Sequence, residues 1–484
     1  MIGSGSEMLS DSRVAVTALE SPEYARDSGG ESAVRLALRQ IARELGWDKD
    51  GRGAFGGVIP AGARVLIKPN LVLHENEGPW GIEPLVTNLS LIAAAVEEAL
   101  LAGPAEILVG DAPVQGCDFE RLLEVTGMGR WAAETMRRDS RFKGVRDFRR
   151  TTCVFVDGVR HASEGRQSED HFVLFDLGAR SLLEPISGGH DPFRVTCYDP
   201  RLLARTHSRG KHQYLVAREV VEADVVINLP KLKTHKKAGI TNALKNLIGI
   251  NGNKEYLPHH RIGGAGAGGD CYPDRSLIKR AMECISDREN TAASVPKARA
   301  WHAVGRQLQR VLHLQGDKLG IEGSWSGNDT IWRTCLDLNR ILLYGRPDGS
   351  IADEPARQVL HIVDAVIAGQ GDGPLRPQPL PLGMILAGRN AAAVDWVGAL
   401  LLEYDPERIS IVNHAFGDFQ WPLTRFSSAG ISVVGDWKAG SARQVFADYR
   451  RPEPIIHPMG WRDAARSAPK NVSMKMPLQA EQAR

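Results

Sequence analysis

Apolar residues recur along this chain with two periods, and the polar residues that carry chemistry cluster where one period gives way to the other. Val225-Val226-Ile227-Asn228-Leu229 has the length and β-branched content of a buried strand. Pro230 ends it, because proline has no N–H for the sheet ladder, and Lys231, Lys233, Thr234, His235, Lys236 and Lys237 follow at once. The basic cluster is therefore expected on a turn at a strand's C-terminal end. Beyond Gly239, the apolar Ile240, Ala243, Leu244, Leu247 and Ile248 predict a helix from Ile240 to Gly249 with Asn242, Lys245 and Asn246 on one face. Two asparagines inside a helix cost propensity relative to alanine, so a role other than helix stability is expected for them.

The same reading runs through the rest of the chain. Residues 32–46 are amphipathic at helical spacing, and Arg64-Val65-Leu66-Ile67 is a strand that stops at Lys68-Pro69-Asn70. A helix from Leu89 to Leu101 closed by Gly103 precedes the strand Glu106-Ile107-Leu108-Val109, which ends at Gly110-Asp111. Strand, helix, strand at this spacing is a right-handed parallel βαβ unit. Phe119 to Gly127 reads as helix, Met136 to Arg150 as a solvated surface helix, and Cys153 to Val156 and Phe172 to Phe175 as short strands of an insertion. Asn251 to Arg275 is rich in glycine and histidine and is expected to be a loop near the basic turn. Helices follow at 276–286 and 297–314, and Asp329 is the expected N-cap of another. Val359 to Val363 is a buried strand ending at Asp364, with Gly369 to Pro374 as the next loop. The strand Gly383 to Gly388 ends at Arg389-Asn390, and the helix from Ala391 to Leu402 carries Asp395, which is read as a structural acid.

These elements predict an α/β protein with a parallel or mixed sheet, helices on both faces, inserted loops and a site at the strand C-termini. The expected organisation is a disordered N-terminal segment over residues 1–30, with Gly3-Ser4-Gly5-Ser6 read as an appended linker. An α/β domain follows over 31–250 with an insertion at about 112–210, then a Gly/His-rich and helical segment over 251–350. A C-terminal α/β portion over 351–448 completes the cleft, and 449–484 is a poorly ordered tail.

Composition narrows the function classes. With 484 residues, 43% hydrophobic and 24% charged, the chain has material for ample cores, and a formal charge of +2 gives no general attraction to nucleic acid or membrane. The six cysteines are scattered with no Cys-x-x-Cys pair, which makes an iron–sulfur cluster unlikely and fits a reducing cytoplasm. No run approaches the roughly twenty apolar residues of a membrane span. The Gly263 to Gly269 run fits neither a Walker A loop nor a dinucleotide fingerprint, so no nucleotide is assigned.

Lys68-Pro69-Asn70, Asp111, Lys231 to His235, Asp364 and Arg389-Asn390 all stand at the ends of predicted strands, where open α/β sheets bind ligands. Ile67-Lys68-Pro69-Asn70, Val109-Gly110-Asp111-Ala112-Pro113, Lys231-Leu232-Lys233-Thr234-His235, Asn242-Ala243-Leu244-Lys245-Asn246-Leu247 with Gly249, Asp364 with Gly371-Asp372-Gly373-Pro374, and Asp395 also resemble the DUF362 family of uncharacterised α/β proteins. The likeness runs from about Val65 to Asp405. Some members carry ferredoxin-like modules, which the cysteine pattern here does not match, and the resemblance implies no particular reaction.

Converging lysines bind phosphates or carboxylates, and their mutual repulsion lowers a lysine's pKa toward use as a base or nucleophile. The first expectation is an enzyme of open reaction class acting on an anionic small molecule or on an anionic group of a larger substrate. Lys231, Lys233, His235 and Lys245 would be its catalytic groups. Lys68, Asn70, Asp111, Asn242, Asn246, Arg261, Asp364 and Asp372 would bind the ligand. A second reading is a non-catalytic ligand- or cofactor-binding accessory protein using the same cleft. A third is a metal-dependent enzyme holding a divalent ion through His259, His260 and Asp270. Oligomeric state and cofactor stay open.

Overall fold

The computed structural model describes residues 5–24, 32–163, 167–317 and 319–466. Among them an eleven-stranded mixed sheet organises the molecule. Its strands are β1 (Arg13–Ala18), β2 (Arg64–Pro69), β3 (Glu106–Asp111), β4 (Phe142–Asp147), β5 (Val225–Leu229), β6 (Lys231–His235), β7 (Gly239–Thr241), β8 (Gln358–Asp372), β9 (Arg376–Gly388), β10 (Ser432–Val434) and β11 (Gly440–Ser441). The helices that matter below are α1 (Ala33–Leu45), α2 (Leu89–Leu101), α3 (Ala243–Asn246), α4 (Leu277–Asn290), α5 (Val295–Leu314), α6 (Ile331–Tyr344) and α7 (Ala391–Leu401). The spatial order is β11-β10-β1-β9-β8-β5-β2-β3-β4, with β6 paired to both β7 and β8. Strands β8, β5, β2, β3 and β4 run parallel, and β9 is antiparallel to both neighbours, β8 and β1.

Period-2 alternation builds a core on each face. Ala15, Val65, Ile67, Val225 and Ile227 point to the face covered by α1 and α2. Val14, Val16, Val363 and Leu386 point to the other face under α6 and α7, and Leu66, Val226 and Val359 extend that core. Ser32 caps α1 by accepting from the Arg35 N–H, and Gly46 closes it in a left-handed turn at φ 69°.

The α/β class with helices on both faces is as expected, and several boundaries are not. The segment read as disordered over 1–30 contains β1, inside the sheet, and Met8 and Leu9, both 1% exposed. Residues 25–31 lie outside the described residues. The span 112–210 is not a pure insertion, since β4 pairs with β3 at the sheet edge where a surface helix was expected through Arg150. The boundaries near 250 and 350 cut through one sheet, because β8 sits between β5 and β9. The tail read as poorly ordered is packed through residue 466: Ile455, Trp461 and Ala464 are buried and Ala465 bridges Tyr404. Residues 467–484 lie outside the described residues.

The predicted loop Gly369 to Pro374 is largely strand, the far part of the β8–β9 hairpin. Prolines 377, 379 and 381 occupy alternate positions of β9 where only β8 pairs with it, so the missing N–H groups fall on an edge. The helix expected over Ile240 to Gly249 is instead β7, the single turn α3 and a 3₁₀ turn over Leu247–Ile250. The N-terminus of α6 is capped by Asn328, whose side chain accepts from the Thr330 and Ile331 N–H groups, and not by Asp329.

Candidate functional site

Parallel register carries the basic residues to one end of the sheet. Asn228 of β5 sits beside Lys68 of β2 on one side and His361 of β8 on the other. Pro230 interrupts β5, and the chain resumes as β6, which pairs with the continuation of β8 so that Lys231 is level with Asp364. Lys68, Lys231 and Lys233 are each 0% exposed. They are enclosed in the protein and do not open to a cleft, contrary to expectation.

Each of the three is satisfied differently. Lys68 Nζ lies 2.7 Å from Asp111 Oδ1 as an ion pair and donates to Asn246 Oδ1 (3.1 Å) and Pro69 O (2.8 Å). Burial lowers the Lys68 pKa and raises that of Asp111, each opposed by the partner's charge. Lys231 Nζ lies 2.7 Å from Asp364 Oδ2 and donates to the Tyr24 hydroxyl at 2.8 Å, and that hydroxyl donates to Asp364 Oδ1 at 2.5 Å. Burial lowers Lys231 and, with the Asp364 charge, holds the Tyr24 phenol well above its usual value. Lys233 has no carboxylate partner among the described residues: it donates to Asn70 Oδ1 (2.9 Å) and Leu85 O (2.5 Å). Burial, with the charges of Lys231 and Lys245, pushes it well below the ordinary lysine value.

A line of amides joins these groups. Asn246 Nδ2 donates to Asn228 Oδ1 (2.8 Å), and Asn228 Nδ2 donates to His361 Nδ1 (3.0 Å) and Ala243 O (3.0 Å). Asn228 and His361 were not among the predicted site residues, although each is the polar member of an otherwise apolar run. Asn242, expected beside Asn246, faces α7 instead: its Nδ2 donates to Val394 O at 3.2 Å and its Oδ1 has no partner among the described residues. Asp395 of α7 lies 3.3 Å from the Leu244 N–H, and burial raises its pKa well above normal, in keeping with a structural acid.

The groups left with free chemistry are Lys245 and His235, and Lys237 is the nearby lysine already engaged. Lys245, in α3, is 9% exposed, and its ammonium makes no hydrogen bond or ion pair with the described residues. Burial lowers its pKa, Lys237 adds to the effect and Cys335 opposes it. His235 Nδ1 accepts from the Lys237 and Ala238 N–H groups at 3.0 and 3.1 Å, which leaves the ring proton on Nε2. Burial, then Lys245, Lys237, Lys233 and His259, hold this histidine well below its usual pKa. Lys237 Nζ donates to Thr196 Oγ1 at 2.5 Å and stands 3.7 Å from Glu322 Oε2.

Other predicted residues lie apart. Arg389 and Asn390 are at the opposite end of the sheet because β9 is antiparallel, and Asn390 caps α7. Arg261 pairs with Asp270, which also accepts from Thr330 Oγ1 (2.6 Å) and the Asp329 N–H (3.0 Å). His259 Nδ1 is 2.7 Å from Leu257 O and His260 pairs in a two-residue strand with Arg194. Among the described residues no three His, Cys, Asp or Glu side chains are arranged to hold a metal. Asp372 stands at the tip of the β8–β9 hairpin and lines a cleft of about 850 Å³ together with Lys236 and His260.

Mixed-sheet α/β architecture with a buried lysine core is the class that fold and site define. Residues 185–400 match the model of DUF362, a domain of unknown function. The match contains Lys231 to Asp395 and leaves Lys68, Asn70 and Asp111 on its N-terminal side. Thylakoid-associated protein sll1697 of Synechocystis sp. (strain ATCC 27184 / PCC 6803 / Kazusa) is 24% identical over 398 residues, 80% of this chain and 79% of that one. A crystal structure of a Thermotoga maritima protein matches 46% of this chain and 38% of that one at 13% identity, with a TM-score of 0.24. No helix among the described residues is long and apolar enough to cross a membrane.

Proposed function

We propose that the protein is an enzyme acting on an anionic substrate, a phosphate or carboxylate, whose charged group is received by Lys245 with Lys237 and His235 beside it. One observation carries this reading. The Lys245 side chain is nine-tenths buried and has neither a hydrogen bond nor a counter-charge among the described residues, and its charge helps to lower the pKa of both Lys233 and His235. A largely buried ammonium without a counter-charge is costly, and it is relieved by giving up its proton or by taking an anion. Both responses are useful in catalysis: the neutral amine is a base, the charged one fixes the substrate, and the Nε2–H of His235 is a donor beside it. Lys68 and Lys231 already have carboxylates and support this site without receiving the ligand. A cytoplasmic location belongs to the same reading, supported by six unpaired cysteines. Cell fractionation tests it, and recovery with membranes, in line with the relative's name, would count against it.

Thermal shift with phosphate, sulfate, acetate and a neutral sugar at equal ionic strength tests the anion site. The anions should stabilise the native protein, the sugar should not, and Lys245→Met should abolish the difference. An anion shift unchanged in that variant, or no anion shift, overturns the assignment. Incubation with a set of phosphorylated and carboxylated metabolites, followed by NMR, tests turnover. Anion binding without consumption of any of them assigns the site to a ligand-holding protein.

A further inference from the structure

The open cleft beside the lysine core has free charge of predominantly one sign. Its carboxylates are mostly engaged: Glu283 accepts from the Gly263 N–H (2.7 Å) and the Tyr272 hydroxyl (3.1 Å), Asp287 pairs with Arg194 (2.9 Å), and Glu289 pairs with His302 (3.0 Å). Glu322 is taken by Lys237 at 3.7 Å, with Lys236 attracting it from farther off. Only Asp372 among the cleft carboxylates has no partner among the described residues. Against it stand Arg306 of α5, Arg376 at the start of β9 and Arg462, which line the same cleft and whose guanidinium groups make no hydrogen bond or ion pair with described residues. His260 supplies an independent mark. It is 5% exposed, its Nδ1 has no partner among the described residues, and it forms part of the cleft wall. Lys237 connects the two regions, because its ammonium touches Thr196 and Glu322, both in that wall.

We infer that the substrate is a polyanion: one anionic group goes to Lys245, and the body lies in the cleft with a second phosphate or carboxylate held by Arg306, Arg376 and Arg462, and His260 beside them. A cleft of about 850 Å³ holds far more than the single anion that Lys245 requires. Guanidinium groups suit planar, bidentate recognition of phosphate and carboxylate. The inference rests on the Lys245 reading for the first group and on the cleft alone for the second.

Isothermal titration with phosphate, pyrophosphate and tripolyphosphate, and in parallel with acetate and succinate, at fixed ionic strength, separates the two. Wild type should bind the longer member of at least one series about tenfold tighter than the shorter one. The series that shows the gain identifies phosphate or carboxylate as the second group. Arg306→Gln/Arg376→Gln, two surface changes whose folding is checked by circular dichroism, should erase the gain and leave phosphate and acetate binding unchanged. Lys245→Met should weaken every member. No gain with length in either series, or a gain that survives the double substitution, overturns the inference, and neither result touches phosphate binding that depends on Lys245. Arginine-dependent binding of the long anions with no binding of phosphate or acetate supports the cleft and overturns the Lys245 reading.

Discussion

Gly249 stands so close to Asp111 that no side chain fits between them: a Cβ added to Gly249 would lie 1.9 Å from Asp111 Oδ1 and 2.8 Å from Lys68 Nζ. The Gly249 carbonyl also accepts from the Ala112 N–H at 2.8 Å, which ties the segment after α3 to the end of β3. The obstacles belong to a buried ion pair, and neither can move aside without losing the other. Gly249→Ala should therefore cost about 2–4 kcal/mol of stability. Urea denaturation measures it, and a loss below about 1 kcal/mol would mean the pair is more yielding than its geometry indicates.

Lys68 and Asp111 should show strong coupling. Removing one member of a buried ion pair leaves the other unpaired in a medium that solvates it poorly, at a cost of about 3–5 kcal/mol. Lys68→Met and Asp111→Leu should each fall in that range. The double substitution, which leaves no orphan charge, should cost well under their sum. A double-mutant cycle by chemical denaturation checks this, and additive losses would show that the two groups do not act as a pair.

Trp461 holds the C-terminal strap against the site. It is 1% exposed, its Nε1 donates to Lys236 O at 2.6 Å, and its ring fills the space beside Gly239, where a Cβ would meet it at 2.8 Å. Gly239 has φ 78°, so glycine is favoured there by conformation and by space together. Trp461→Ala should cost about 3–5 kcal/mol and loosen the turn that carries Lys236 and Lys237. The melting temperature reports the first effect, and hydrogen exchange at the Lys236 and Lys237 amides the second. Unchanged exchange would mean that the turn is held by β6 and β7 alone.

How legible the site was depended on which force set each element. Lys68, Asp111 and Lys231 could be placed at strand ends because parallel strands flanked by helices are apolar throughout and stop visibly at a proline or a charge. Asp364, expected at a strand end, lies within β8, which continues past it because strand pairing with β6 and β9 overrides the loop preference of glycine and proline. The direction of β9, and with it the position of Arg389 and Asn390, depends on long-range pairing that leaves no local mark. β1 was missed although Val14-Ala15-Val16 is a strand pattern, since it followed a segment set aside as non-native. Whether a lysine is buried or exposed is likewise decided by tertiary contacts. The spacing Asn242, Lys245, Asn246 suggested one shared face, yet α3 is a single turn, and the amides diverge toward α7 and β5.

His361 makes the pH dependence of stability testable. Its Nδ1 accepts from Asn228 Nδ2 at 3.0 Å, and burial lowers its pKa to about 3. In the unfolded chain a histidine titrates near pH 6.5, so as the pH falls the unfolded state takes up the proton first. The stabilisation is complete above pH ~6.5 and is lost as the pH falls from there toward about 3, at up to about 1.4 kcal/mol per pH unit. His207, His235 and His260 are lowered by burial and add slopes of the same sign, while Asp395, raised by burial, opposes them. Total stability therefore does not isolate His361, whereas comparison with His361→Gln does, because glutamine offers Asn228 an acceptor at every pH and binds no proton. Between pH 6 and 4.5 the wild type should lose about 1.4 kcal/mol per unit more than the variant. Parallel curves from urea denaturation at each pH would show that His361 takes up its proton in the folded state as readily as in the unfolded one, and that the Asn228 contact does not exclude it.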